Sequence, residues 1–423
     1  MRTKFATTPF FRGSRFKLKP IPFWIGLLVG FYLSFEGVSF LGLWFMGFTK
    51  QILYEPISKD YLSQENRATI QKLLAGQTTY FTHSPTLGWT LKPQGSFGVY
   101  RANDQGLRAE RNYEIPAPPG VFRILAFGDS FTHGEEVKFE ETWEEQLRLL
   151  HPRLEVLNFG VNAYGLDQAF LRYQQEGVPF RARIVLIGFL SENIERVVNV
   201  FRPFYYGDTR FPLSKPRFVL QKDQLILLEN PLPRLSDYQR LLDHERSVLP
   251  QLGVHDDQYR TKYGRGPYDF LPSIRLAKIL RYGFLRRLGK GHTINWDDTY
   301  HTESEAFQVT ARIFQKFYET VLENGSLPLI VLFPDRRDLE RYRGKGIKRY
   351  EPLENFFRQK GFHYIDLFDA FDRYGKDHPI SEIYGSAHYS PLGNEMVARY
   401  IFDYLKENHL LNRGTLEGKI HEA

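Results

Sequence analysis

The chain reads as an α/β protein built on a parallel sheet and preceded by one membrane-crossing helix. From about residue 121 onward, apolar runs of strand length alternate with helical patterns, the signature of parallel strands joined by crossover helices. Short blocks rich in Gly, Asn, Ser and His close several of those runs, where open α/β sheets place their ligands. A single long apolar stretch lies near the amino terminus.

That stretch, residues 21–48, reads IPFWIGLLVGFYLSFEGVSFLGLWFMGF and contains one ionisable residue, Glu36. Roughly 20 apolar residues suffice to cross a bilayer. A signal peptide is the rival reading, but its apolar region usually runs to about 7–15 residues before small residues at a cleavage site. The first twenty residues hold Arg2, Lys4, Arg12, Arg15, Lys17 and Lys19 and no acid. The positive-inside rule therefore expects residues 1–20 in the cytoplasm and everything beyond Thr49 in the periplasm or exterior, with Trp24 and Trp44 as interfacial anchors. Glu36 would cost about 3 kcal/mol at mid-bilayer, and its presence points to a partner helix in the membrane. Gly26 and Gly30 form a G-x-x-x-G, a weak packing signal.

Removing the six tail charges from the net +7 leaves +1, so the basic character belongs to the tail. Nucleic acid is not an expected partner, and no nucleic-acid motif is present. The absence of cysteine excludes disulfides, thiolate metal sites and a cysteine nucleophile. No histidine pattern has metal-ligand spacing, so neither metal nor cofactor is expected.

Residues 49–120 read as a connecting region that ends in the stiff linker Pro116-Ala117-Pro118-Pro119-Gly120. Within it, 87–93 and 103–108 suggest short strands and a turn. The main domain, 121–410, has expected strands at 122–127, 154–158, 184–189, 329–333 and 364–367, and expected helices at 166–176, 304–323 and 391–407. An insertion at about 197–303 contains a hairpin at 218–228 and is otherwise mostly helical. Insertions of this kind often cover the active-site edge, so a cap is expected. Residues 411–423 form a tail.

The run Phe127-Gly128-Asp129-Ser130 carries an apolar strand into a helix-compatible stretch. This puts the Ser130 hydroxyl at a strand end and a helix start, where a nucleophile belongs. Alone, G-D-S is also an ordinary turn, and Asp129 reads as its hydrogen-bonding organiser. His133 reads as helix surface or pocket lining. Three further blocks follow in order: Asn158-Phe159-Gly160-Val161-Asn162-Ala163-Tyr164-Gly165, then Gly188-Phe189-Leu190-Ser191-Glu192-Asn193, then His388-Tyr389-Ser390-Pro391-Leu392-Gly393-Asn394. With these blocks the chain resembles the SGNH (GDSL-like) hydrolase family over about residues 121–407, the insertion excepted, and the run 104–108 is similar to the lead-in of membrane-anchored members.

The resemblance implies a flavodoxin-like three-layer sandwich with a parallel central sheet, preceded here by the transmembrane helix. It further implies Ser130 as nucleophile and His388 as general base and acid, with the amides of Ser130 and Gly160 and the side chain of Asn193 as the oxyanion hole. Where the family places an aspartate two or three residues before the histidine, this sequence has Ser386 and Gly385. Glu382 and Asp377 are the candidate substitutes to orient His388, unless a backbone carbonyl holds it. The activity implied is ester hydrolysis or O-acyl transfer outside the cytoplasmic membrane, on small acyl groups of an acylated carbohydrate or other ester. A non-catalytic glycan-binding scaffold is the alternative that the missing aspartate raises. An accessory subunit that receives acyl groups from a membrane partner is the alternative that Glu36 raises.

Overall fold

In the computed structural model, the described residues are 21–48, 62–262, 266–288, 294–296 and 298–411. The expected basic tail, the first part of the connecting region and nearly all of the carboxyl-terminal tail lie outside them.

Five strands form the central sheet: β1 (Phe122–Phe127), β2 (Leu154–Asn158), β3 (Ile184–Leu190), β4 (Leu327–Phe333) and β5 (Tyr364–Asp366). All neighbours are parallel, in the order β5-β4-β3-β1-β2. This is the flavodoxin-like order, in which the chain switches direction across the sheet between β1 and β3. Every residue of β3 and β4 is buried. Continuous burial of that kind requires helices on both faces, which makes the sandwich three-layered. Trp143–Leu149 (α4) packs with Pro391–Glu407 (α10), and Leu166–Arg172 (α5) packs with Glu305–Glu323 (α8).

Capping chemistry sets the long helices. Ser304 accepts from the Phe307 amide at the start of α8, and Ser390 accepts from the Gly393 amide at the start of α10, with Pro391 in the first turn. Along α10, Val397, Ala398, Ile401 and Leu405 face the core. The expected helix at 166–176 is broken: α5 stops at Arg172 and a π-turn runs from Tyr173 to Gly177. A Cβ at position 177 would lie 2.5 Å from the Phe127 ring.

The connecting region departs from expectation. From Leu62 onward it is part of the domain, with Leu87, Trp89 and Leu107 buried in the common core. Helix α2 (Gln64–Leu74) opens it. Trp89 Nε1 donates to the Asn162 carbonyl at 2.9 Å, and the Tyr164 hydroxyl donates back to the Trp89 carbonyl at 2.6 Å. Arg172 Nη2 donates to the Gly106 carbonyl at 2.8 Å. Such segments look like linkers in sequence because their elements are short and satisfy their backbone on a neighbour.

The insertion contains the expected hairpin, Arg217–Gln221 with Gln224–Leu228. A buried ion pair, Lys215 with Asp167, ties it to α5.

At the amino terminus, α1 (Ile21–Phe48) includes 24 residues, Phe23–Met46, long and apolar enough to cross a membrane. Only 6% of its apolar window is buried, which separates it from a core helix and leaves a membrane span or a signal sequence. Glu36 finds its partner within the chain. Its carboxylate accepts from the amide of Ser273 at 3.0 Å and the hydroxyl of Ser273 at 2.5 Å, at the head of α7 (Pro272–Arg287), which packs along α1.

Candidate active site

Three of the sequence blocks meet at the carboxyl ends of β1, β2 and β3, and the fourth arrives from the loop before α10. After β1, Asp129 caps the four-residue helix α3 (Ser130–His133) by accepting from the Phe131 amide at 2.9 Å. This cap presents the Ser130 hydroxyl toward a cavity of about 660 Å³. The amide of Ser130, first in its helix, is an orphan donor.

Gly128 and Gly160 allow the close approach beneath this turn: a Cβ at 160 would lie 2.3 Å from the His133 amide nitrogen. His388 Nε2 lies 2.9 Å from Ser130 Oγ. The two residues are 258 positions apart in the chain.

The acid beside His388 is neither expected candidate. Glu382 is exposed and accepts from the Tyr374 hydroxyl at 2.5 Å, while Asp377 ends an exposed turn of the helix Phe368–Asp377. The carboxylate that meets His388 Nδ1 belongs to Glu136, at 3.1 Å. Glu136 comes from the loop six residues after the serine and has a φ of +75°, an uncommon conformation for a side chain of its size. It also accepts from the Ser386 amide and hydroxyl, each at 2.7 Å, and from the Ala387 amide at 3.1 Å. Burial by itself would raise its carboxyl. The bonds from Ser386, His388 and Ala387 outweigh that and hold it down at about 2. Ser386 and Gly385, which stand where an aspartate was expected, instead form the loop that grips this glutamate. In sequence, the only hint of Glu136 was its nearness to Ser130.

Position 160 is also corrected. The Gly160 amide donates to Asn158 Oδ1 at 2.9 Å, and the residue is packed under α3 rather than set in the cavity wall. From the same block, Asn162 and Ala163 line the cavity with Ser130 and His388. Ala163 has φ +66°, and among the described residues its amide donates no hydrogen bond. Asn193 heads the short helix α6 (Asn193–Arg196) just past β3, is almost fully buried, and leaves Oδ1 without a partner.

Arg196 ties these strand ends together. Its guanidinium donates to Asp129 Oδ2 at 3.2 Å, the Tyr164 carbonyl at 2.9 Å and Glu192 Oε1 at 3.2 Å. Burial pushes the Glu192 carboxyl up, but Arg196 and the Tyr205 hydroxyl bring it down to about 2. His133 is fully buried and is not the surface or pocket-lining residue expected. Its Nε2 is 2.6 Å from the Tyr80 hydroxyl, and burial, with Arg108 nearby, keeps the ring neutral. The cap is present: Arg202, Tyr206, Arg210 and Phe211 of the insertion line one side of the cavity.

No family model matches the sequence, and no curated protein matches it. Among solved structures, the chain is similar to a G-D-S-L family lipolytic protein from Desulfitobacterium hafniense DCB-2, at 13% identity and TM-score 0.35, covering 67% of this chain and 98% of that one. A lipolytic protein of the G-D-S-L family from Veillonella parvula DSM 2008 matches at 11% identity and TM-score 0.33, covering 67% and 98%. An acetylxylan esterase from Geobacillus stearothermophilus, as a catalytic mutant, matches at 12% identity and TM-score 0.32, covering 67% and 93%. The parallel sheet in the order 2-1-3-4-5 is a flavodoxin-like α/β fold, with three of the sequence blocks at its strand ends and the fourth brought to Ser130 by the loop before α10.

Proposed function

We propose that this chain is a serine hydrolase of acyl esters, held at a membrane by α1, with its cavity on the non-cytoplasmic side. The observation that carries the reading is the unbroken relay from Ser130 Oγ through His388 to Glu136, at 2.9 and 3.1 Å. In this reading His388 Nε2 takes the Ser130 proton as Oγ attacks the ester carbonyl carbon. The developing oxyanion is held by the Ser130 amide, the Ala163 amide and the Asn193 side chain, with Ala163 replacing Gly160 in that role. Donors of this kind contribute about 10²- to 10³-fold each. His388 then passes its proton to the departing alcohol, leaving an acyl-serine. Water, activated by the same imidazole, releases the acid; a sugar hydroxyl in its place would complete an acyl transfer.

Glu136 removes the motive for a non-catalytic reading, because the imidazole has an acid partner after all. Small acyl groups on an envelope or exported glycan are the substrate class this reading favours, since the cavity beside Ser130 is open to solvent and lined by charged side chains of the insertion. The test is fluorophosphonate labelling together with hydrolysis of 4-nitrophenyl acetate. Wild-type protein is expected to label and turn over, and Ser130→Ala to do neither. An unlabelled wild type would sink the proposal. Acetate freed into solution, or found instead on an added oligosaccharide, separates hydrolysis from transfer.

A further inference from the structure

The cavity wall holds arginines and carboxylates in equal number, so its selectivity depends on which charges are already committed. Most are. Arg196 is bound by Asp129 and Glu192. Arg210 pairs with Glu135 at 2.6 Å, and Arg336 pairs with Glu340 at 2.8 Å.

Arg202 and Arg337 have no such partner among the described residues, and of the two only Arg202 is buried. It is 7% exposed, and among the described residues no carboxylate pairs with it. Its Nε is buried without a hydrogen-bond partner. Its guanidinium lies over the rings of Tyr205 and Tyr206, 4.9 and 4.8 Å from their centroids. Glu192 acts on it electrostatically but forms no ion pair with it, and Glu192 Oε1 accepts from Arg196 and from the Tyr205 hydroxyl at 2.7 Å. Burial, with Arg196 beside it, brings Arg202 down to about 10, which still leaves it cationic at neutral pH.

A buried cation without a counter-ion is costly unless a ligand supplies one. Cation–π contact with two tyrosines, whose rings stand 83° apart, holds the guanidinium in place but satisfies none of its N–H donors. The free fork matches the bidentate geometry of an oxyanion.

We propose that Arg202 is the anion subsite of this cavity, so that the ester acted on at Ser130 is carried by an acidic polymer. The oxyanion it holds is a uronate carboxylate or a backbone phosphodiester. This rests on the hydrolase reading above and adds its substrate class. A neutral glycan would leave the guanidinium as unpaired as it is now.

The experiment compares acetate release from O-acetylated oligogalacturonate with release from the same oligomer after methyl esterification of its carboxylates, which removes their charge, with methanol release measured in parallel to confirm that the methyl esters stay intact. Wild type is expected to favour the charged oligomer in kcat/KM. Arg202→Gln is expected to lower that preference by about 10- to 100-fold, the range for a charge-assisted hydrogen bond, with Arg202→Lys restoring part of it. Loss of both activities in parallel, or no preference in wild type, overturns the subsite.

A second measurement does not depend on turnover. Full-length Ser130→Ala is titrated with unacetylated oligogalacturonate and with polyglycerol phosphate. Salt-sensitive binding of either that Arg202→Gln removes supports the proposal and names the oxyanion; binding of neither, or binding indifferent to Arg202, overturns it. Failure of fluorophosphonate labelling with intact anion binding would instead count against the hydrolase reading alone.

Discussion

Glu136 orients the candidate base from an unexpected direction: it lies on the nucleophile's loop, 252 positions before His388. In the serine triad, losing the acid's orienting role costs about 10⁴-fold in turnover. Glu136→Gln is therefore expected to lower kcat by about 10²- to 10⁴-fold, with little change for Glu382→Gln, both measured on 4-nitrophenyl acetate. An equal loss in the two variants would put the acid elsewhere. The same carboxylate sets a pH window. It is depressed from its ordinary 4.5 to about 2, so the anchorage it gives the 385–388 loop is complete above 4.5 and lost as pH falls from there toward 2. Hydrogen exchange at the Ser386 and Ala387 amides is expected to show an extra loosening across that window, beyond the intrinsic pH dependence. The step should be missing in Glu136→Gln.

Among the elements, the tightest constraint is the stacking of the β2 loop under α3. Gly160 has no room for a methyl group: the nearest atoms are backbone of Thr132 and His133, which cannot rotate away. Gly160→Ala is expected to destabilise the protein by about 1–3 kcal/mol, the range for overpacking a tight site, read from denaturant midpoints. An unchanged midpoint would mean that α3 can shift as a body. The role of this glycine is thus spatial, and the residue that faces the cavity is Ala163, three positions on. The four blocks were legible because three occupy strand ends and the fourth leads into a capped helix, elements of fixed period. Their internal division of labour was not, since the backbone of 158–165 bends through a left-handed residue at 163 that no propensity marks there.

For the molecule as a whole, the reading depends on where the domain sits. Helix α1 is mostly exposed, apolar, and joined to α7 through Glu36 and Ser273. Full-length protein is expected to stay with membranes through alkaline carbonate extraction and to be degraded by protease added to the outer side. Release by carbonate, or an amino terminus found cleaved after the apolar stretch, would instead mean a processed signal sequence. The Glu36 contact gives that residue a hydrogen-bonding partner in the insertion of the same chain.

By itself, the sequence determined the sheet, its crossover helices, the apolar amino-terminal helix, and the strand ends and helix start where Ser130 and the other blocks lie. These follow from periodicity and capping, which act over a few residues and leave a mark in the order of side chains. Only the tertiary structure decided that Glu136 meets His388, that Ala163 rather than Gly160 faces the cavity, that residues 62–113 belong to the core, and that no carboxylate among the described residues forms an ion pair with Arg202. Each of those depends on groups from distant parts of the chain arriving within about 3 Å of one another, or failing to, and a distance of that kind has no period to read.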